Sequence, residues 1–134
     1  MTKIHPTAVV DGAAEIGDDV EIGPGVVVGP DVTVGNGCRI LAHAVLERWV
    51  TLGAENVVGY SAVVGSPPQD LSHEDGWKSE VRIGVGNTLR EHVTVHRAAG
   101  EGMVTAIGDG NILMTGAHLA HNGVVGNRTI IANN

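Results

Sequence analysis

Aliphatic residues recur at every sixth position along the first half of the chain. The series runs without interruption through Ile4, Val10, Ile16, Ile22, Val28, Val34, Ile40, Leu46, Leu52, Val58 and Val64. An amphipathic helix needs spacings of three and four, and a half-buried strand needs a spacing of two. A strict period of six instead predicts a short extended segment followed by a sharp corner, repeated many times.

Two further regularities accompany this period. Glycine directly follows many of the aliphatic positions, and we expect it to supply the backbone conformation that each corner needs. The position four residues after each aliphatic residue is small or apolar, with Asn56 as the exception. Three such units would close one triangular coil, and coils stacked about 4.8 Å apart would align the aliphatic residues in interior columns.

The period breaks twice, at about residues 66–80 ("SPPQDLSHEDGWKSE") and at 97–105 ("RAAGEGMVT"). Pro67 and Pro68 cannot donate hydrogen bonds to a strand ladder, and both stretches are rich in glycine or charge. After the first break the period resumes in a shifted register at Ile83, Leu89 and Val95, and after the second it continues at Ile107. We therefore expect a single domain over residues 1–134 with two protruding loops, which are either solvated surface or carriers of the binding function.

Composition agrees with a narrow interior. The chain is 43% hydrophobic, yet it has 20 glycines, no phenylalanine and only 2% aromatic residues. The net charge of −7 argues against a nucleic-acid or anionic-membrane surface built on bulk charge. No stretch approaches the roughly 20 apolar residues of a transmembrane segment, and no signal peptide follows Met1. A single cysteine, Cys38, suits a reducing compartment, so we expect a cytoplasmic protein.

Seven motifs occur in an order that identifies a family resemblance. They are "IHPTAVV" (4–10), "IGPGVVVGP" (22–30), "PQDL" (68–71), "REHVTVHR" (90–97), "GDGNILM" (108–114), "AHLAHNGVVGN" (117–127) and "IIANN" (130–134). Together they resemble the acyl-(acyl carrier protein)–UDP-N-acetylglucosamine O-acyltransferase family, which catalyses the first step of bacterial lipid A biosynthesis. The resemblance implies an all-β fold, a left-handed parallel β-helix (hexapeptide-repeat prism), assembled as a homotrimer.

The same resemblance implies a chemistry without metal, cofactor or acyl-enzyme. A 3-hydroxyacyl group passes from acyl carrier protein to the glucosamine 3-hydroxyl of UDP-N-acetylglucosamine. A sugar hydroxyl needs a base near neutral pH, and histidine suits that role with its unperturbed pKa of ~6.5. By resemblance His121 is the base, His118 and His96 line the sugar site, and Asp70 contacts the sugar hydroxyls, with Gln69 beside it.

The period itself favours grouping the histidines. His118 precedes the aliphatic position Leu119 and His121 follows it by two, so both should point outward. His96 directly follows Val95, four repeats before Leu119, which allows adjacent coils on one side of the prism. In the family the active site is a groove between subunits, which makes physical sense because a convex prism has few pockets of its own.

Two residues depart from the family pattern. Asn122 stands where members commonly have an acidic residue after the base; it can fix the imidazole but supplies no negative charge. Ser72 stands where a lysine is common two residues after Asp70. Members also have further coils and a C-terminal helical domain, and their oxyanion-hole glycine, uridine contacts and acyl-chain ruler would lie beyond residue 134. A chain that ended there should transfer poorly or not at all, and one that continued should be active.

Three alternatives remain open from the residues. Asn122, Ser72 and the early stop favour a non-catalytic, truncated β-helix trimer. The seven histidines allow a zinc site shared between subunits, as in trimers that resemble γ-class carbonic anhydrase. An N-acyltransferase that acts on a 3-amino sugar shares the fold and a histidine base, although "PQDL" and "HR" favour the hydroxyl acceptor.

Overall fold

The computed structural model describes residues 1–134 and contains only β-strands, all paired in parallel. Successive strands lie on three different faces, so that every third strand belongs to the same sheet. The chain is a left-handed parallel β-helix, and this confirms the predicted fold. It has no helix that could span a bilayer.

The three sheets form the sides of a triangular prism. Sheet A contains β1 (Lys3–Ile4), β4 (Glu21–Ile22), β7 (Arg39–Ile40), β10 (Val57–Val58), β13 (Thr88–Leu89), β16 (Ile112–Leu113) and β19 (Ile130–Ile131). Sheet B contains β2 (Val9–Val10), β5 (Val27–Val28), β8 (Val45–Leu46), β11 (Val63–Ser66), β14 (Thr94–His96) and β17 (His118–Leu119). Sheet C contains β3 (Glu15–Ile16), β6 (Thr33–Val34), β9 (Val50–Leu52), β12 (Glu80–Ile83), β15 (Val104–Ile107) and β18 (Val124–Val125).

The aliphatic positions stack in three interior columns, as the period predicts. In sheet A, for example, Ile22 pairs with Ile40 and Ile40 with Val58. Ile40, Val58 and their equivalents in the other sheets are almost completely buried. Because each branched side chain packs on the one below, burial of a narrow aliphatic column stabilises the prism without aromatic bulk.

The glycines that follow the aliphatic positions have a different purpose from the one we predicted. The left-handed corner conformation lies two residues further on, at residues such as Asp31 (φ 58°) and His43 (φ 63°), so the prediction was wrong for most of these glycines. They are required by the close approach of coils. A Cβ atom on Gly53 would lie 2.6 Å from the carbonyl oxygen of Gly84, and one on Gly84 would lie 2.6 Å from that of Gly108.

Asn56, the exception in the small-residue column, begins a buried asparagine ladder. Its Oδ1 accepts hydrogen bonds from the backbone N–H (2.7 Å) and the side-chain amide (3.0 Å) of Asn87. Asn87 Oδ1 accepts the same pair from Asn111 at 2.8 and 3.0 Å. Each buried amide is thereby satisfied by the coil above or below, which offsets the cost of burying it.

Both interruptions of the period leave the prism at the corner between sheets B and C. Loop 1 (residues 67–79) connects β11 to β12, and loop 2 (97–103) connects β14 to β15 on the next coil. The strands that follow the two loops remain in register within sheet C, since Leu52 pairs with Ile83 and Ile83 pairs with Ile107. On the third coil the same corner is a tight turn over residues 120–123.

Candidate active site at the corner between sheets B and C

Five of the seven predicted site residues lie on loop 1 or on the tight turn of the third coil. Loop 1 carries Gln69, Asp70 and Ser72, and the turn carries His121 and Asn122. The other two, His96 and His118, lie on strands of sheet B that lead into this corner. The fold therefore stacks all seven residues along one edge of the prism, over three consecutive coils.

His96 and His118 are brought together by the parallel register of sheet B. Val95 pairs with Leu119 and Thr94 with His118, so the outward side chains of β14 and β17 are neighbours. The two imidazole rings meet edge to face with centroids 4.9 Å apart. His118 is exposed, and its Nδ1 lies 2.7 Å from Thr94 Oγ1. The pair forms a continuous imidazole surface on the approach to the corner.

Of the two rings, that of His96 is the more buried. His96 is half-buried, and its Nδ1 is buried without a hydrogen-bond partner. Burial lowers the pKa of His96, and the neighbouring His118 lowers it further, because both disfavour the imidazolium form. His96 therefore favours the neutral form, in which one ring nitrogen can donate and the other accept.

Asn122 connects His121 to loop 2. Its Oδ1 lies 2.8 Å from His121 Nδ1 and also accepts the backbone N–H of Ala99 at 2.9 Å. The amide nitrogen Nδ2 donates to the carbonyl oxygen of Ala99 at 3.1 Å. The Asn122 backbone N–H donates to Oγ1 of the buried Thr105 at 2.9 Å. The side chain thus contacts both the imidazole and the loop of the preceding coil.

Asp70 presents a carboxylate near the same corner. Its Oδ1 accepts the backbone N–H of Ser72 at 2.9 Å and the Ser72 hydroxyl at 2.6 Å. These two hydrogen bonds hold the pKa of Asp70 below its usual range, and the nearby His121 and His73 lower it further. Gln69, beside it, is exposed. The carboxylate is therefore ionised at neutral pH and free to accept hydrogen bonds from a ligand.

Two residues that were not among the predicted site residues hold the loops in place. His73 of loop 1 accepts the backbone N–H of Gly100 of loop 2 through Nδ1 at 3.1 Å. Arg97, at the base of loop 2, is buried and donates through Nη1 to the carbonyl oxygen of Gly65. Its guanidinium lies 5.2 Å from the ring centroid of Trp49. The "HR" pair was visible in the sequence, but these partners are distant along the chain and left no local signal.

The corner is open rather than enclosed. The two cavities of the chain contain none of the three site histidines: one, of about 340 Å³, lies beside sheet C and is lined in part by Lys78 of loop 1, and the other, of about 400 Å³, lies on sheet A. Within one chain no three His, Cys, Asp or Glu side chains converge as metal ligands, so a zinc site of the alternative kind would require residues from another copy. A ligand bound at this corner of a single chain would therefore remain exposed to solvent on one of its sides.

Comparison with known proteins agrees with this architecture. Residues 13–48 match the family described as bacterial transferase hexapeptide (six repeats). Over 98% of its length the chain is 42% identical to an acyl-(acyl carrier protein)–UDP-N-acetylglucosamine O-acyltransferase from Syntrophobacter fumaroxidans, and it covers 51% of that protein. A relative of the same name from Thermodesulfovibrio yellowstonii is 41% identical, with 99% of this chain and 52% of the relative covered.

Solved structures give the same result. A UDP-N-acetylglucosamine acyltransferase from Francisella novicida superposes with a TM-score of 0.91 at 33% identity, covering 93% of this chain and 46% of that one. The enzyme from Campylobacter jejuni superposes with a TM-score of 0.88 at 38% identity, covering 98% and 51%. The resemblance predicted from the motifs is confirmed along nearly the whole chain, and the chain spans about half the length of these relatives.

Proposed function

We propose, from the similarity of this chain to half of the UDP-N-acetylglucosamine O-acyltransferases, that it serves the same reaction. A 3-hydroxyacyl group passes from the thioester of acyl carrier protein to the glucosamine 3-hydroxyl of UDP-N-acetylglucosamine. The observation that carries the proposal is the stacking of His96, His118, His121 and Asp70 along one edge of the prism, together with their match to the family motifs.

In the proposed step His121 is the general base. It takes the proton from the sugar 3-hydroxyl as that oxygen attacks the thioester carbonyl carbon. The C–O bond forms, the C–S bond breaks, and the imidazolium returns its proton to the leaving thiolate. The products are the ester and the free thiol of acyl carrier protein, so no metal, redox cofactor or acyl-enzyme is needed for the atoms to balance.

The other residues of the edge bind the sugar in this proposal. Sugar hydroxyls are hydrogen-bond donors, and the ionised Asp70 carboxylate is an acceptor that Ser72 already holds in place. His96 and His118 present a donor and acceptor surface beside it, and Gln69 adds an amide. Since Ser72 is committed to Asp70, we assign it a supporting role in place of the lysine that is common in the family.

The open shape of the corner supports a homotrimer with the site completed by a neighbouring copy. A substrate on a convex edge would be desolvated on one side only, whereas ligand sites usually enclose most of their ligand. A groove between two prisms supplies the second wall and follows from cyclic symmetry. The partners in this proposal are therefore acyl carrier protein, UDP-N-acetylglucosamine and two further copies of the chain.

The test is a transfer assay with 3-hydroxyacyl-(acyl carrier protein) and UDP-N-acetylglucosamine, in which the acylated sugar nucleotide is followed by mass spectrometry. We expect product when the wild-type chain is assayed within a protein of the full length of these relatives. The absence of product at high protein concentration would contradict the activity for this chain and favour a structural trimer. A parallel reaction with the 3-amino sugar nucleotide distinguishes the two acceptors, because product from the amine alone would contradict O-acyl transfer.

A further inference from the structure

Two consecutive backbone N–H groups of loop 2 join the two elements that carry most of the predicted site residues. The N–H of Ala99 donates to Asn122 Oδ1, on the turn of the third coil, at 2.9 Å. The N–H of Gly100 donates to Nδ1 of His73, on loop 1, at 3.1 Å. His73 therefore fixes loop 1 against the rest of the corner.

His73 also closes the turn that carries Asp70. Its backbone N–H donates to the carbonyl oxygen of Asp70 at 3.1 Å, and the Asp70 carboxylate accepts the N–H and the hydroxyl of Ser72. Residues 70–73 are therefore one compact turn, a structure that aspartate favours through such bonds to its own backbone. Because the imidazole and the carboxylate belong to the same turn, a displacement of one also displaces the other.

The contact between His73 and loop 2 exists only when the imidazole is neutral. A backbone N–H can only donate, so Nδ1 must accept with its lone pair, and the proton of the neutral ring lies on Nε2. In the imidazolium form both nitrogens carry protons, and Nδ1–H would face the Gly100 N–H, donor against donor. The ring itself is held by Trp77, which it meets edge to face with centroids 5.8 Å apart.

The acidic residues of the two loops attract the opposite, protonated form. They are Asp70, Glu74, Asp75 and Glu101, against the basic Lys78 and the buried Arg97. The hydrogen bonds from Ser72 are the main cause of the lowered pKa of Asp70, and the positive charges of His121 and His73 lower it further. Falling pH therefore replaces the bond to loop 2 with attraction to the carboxylate.

We propose that His73 is a positioning residue, which in its neutral form holds the Asp70 turn against loop 2 and, once protonated, releases it. The inference rests on the proposed function for its consequence, because Asp70 is there the group that binds the sugar hydroxyls. Release of the turn displaces the carboxylate and leaves the base His121 in place. Binding of the sugar nucleotide should therefore weaken as the pH falls through the range in which histidines protonate.

Two substitutions separate the acceptor from the ring. His73→Asn keeps an acceptor, because its amide oxygen is as many bonds from the backbone as Nδ1 is, and this oxygen does not titrate. His73→Phe keeps a ring against Trp77 and has no acceptor. His92→Asn is the matched control, since His92 is exposed on the edge between sheets A and B, with a φ of 60° that asparagine also adopts.

Amide hydrogen exchange, followed by NMR, tests the contact without turnover. In the wild-type chain the protection factor of the Gly100 N–H should fall about two- to tenfold between about pH 8 and about pH 5.5, the effect of losing one hydrogen bond. It should stay constant in His73→Asn and be low at both pH values in His73→Phe. The Gly102 N–H is the internal control, because it donates to the Lys78 carbonyl oxygen, which does not titrate. Equal Gly100 protection in the wild type and His73→Phe would overturn the proposal.

Steady-state kinetics in a protein of the full length of the relatives test the consequence. At about pH 8 the KM for UDP-N-acetylglucosamine should rise about two- to tenfold in His73→Phe, with kcat little changed, because only binding of the sugar is affected. Toward about pH 5.5 the KM should rise in the wild type and in His92→Asn, and rise less in His73→Asn. An equal rise in His73→Asn would overturn the role of His73 in the pH dependence.

The outcomes are distinguishable from failure of the proposed function. An active acyltransferase whose KM is the same in the wild type and in His73→Phe would overturn the positioning role alone. A protein that transfers no acyl group, but whose Gly100 protection depends on pH through His73, would contradict the proposed function while supporting the release of the Asp70 turn. Hydrogen exchange therefore reports on His73 independently of turnover.

Discussion

The rings of His96 and His118 meet edge to face with centroids 4.9 Å apart because Val95 and Leu119 are paired in adjacent strands of sheet B. The paired residues Val95 and Leu119 are 24 positions apart in the sequence, and loop 2 lies between the two strands. The strict register of the prism, rather than the local sequence, therefore builds this part of the candidate site.

Burial of His96 should make the folding stability depend on pH. Its folded pKa is lowered, so the unfolded chain takes up a proton more readily than the folded one as the pH falls through about 6.5. Stability should therefore decline below that pH, and His96→Gln should reduce the decline. Urea denaturation at several pH values checks this. His5→Gln is the exposed control. If it reduced the decline in stability as much as His96→Gln, or if His96→Gln did not reduce the decline, burial of His96 would not be the cause of the pH dependence.

Removing the Ser72 hydroxyl should raise the pKa of Asp70. The side-chain hydrogen bond from Ser72 is the largest cause of the lowered value, and the backbone N–H bond would remain in Ser72→Ala. The pKa should move toward the ordinary 3.8 without reaching it. A ¹³C NMR titration of the Asp70 carboxyl carbon measures the shift. An unchanged or lower pKa in Ser72→Ala would show that the hydroxyl does not stabilise the carboxylate.

Glycines that follow an aliphatic position and lie against the backbone of the next coil should be intolerant of even one methyl group. Gly84→Ala would place its Cβ 2.6 Å from the Gly108 carbonyl oxygen, so we expect a loss of about 1–3 kcal/mol or more in the free energy of unfolding. Gly12 is the matched control, because a Cβ there meets no atom within 4 Å. Chemical denaturation of both variants gives the comparison, and equal stabilities would refute the close-approach explanation.

The asparagine ladder should contribute stability that an aliphatic side chain cannot replace. Asn87→Ala leaves the buried Asn111 N–H without its acceptor and removes a donor to Asn56, which should cost about 1–3 kcal/mol. Asn133→Ala provides a control, since Asn133 is exposed and makes one hydrogen bond of 3.3 Å. Thermal or urea unfolding measures both. A loss in Asn87→Ala no greater than in the control would exclude the ladder as a source of stability.

The fold was predictable because burial of the interior columns requires an aliphatic residue at every sixth position of the sequence. Every coil must direct an aliphatic residue such as Ile40 inward, and a break such as Pro67–Pro68 cannot join a strand ladder, so both leave a local record in the sequence. The corner geometry was predicted wrongly. Glycine was expected to mark the left-handed residue, but that position accepts Asp31 or His43 at some conformational cost, while glycine marks the contact between coils.

The candidate site was predictable only as a set of residues. The motifs selected His96, His118 and His121, and the period placed them on one side of the prism. The clamp of Asn122 on Ala99 was not visible in the sequence, because it depends on backbone groups of a different coil. Such contacts are set by how the loops fold against each other, and no spacing or composition records them.

The most direct test of the account is the rate of acyl transfer to UDP-N-acetylglucosamine by the wild-type chain and by His121→Ala, with His5→Ala as a control at the far end of the prism. We expect the His121 variant to lose about 10²–10⁴-fold in rate while the control retains the wild-type rate. Transfer by His121→Ala at the wild-type rate would contradict the account, because the base would then lie elsewhere.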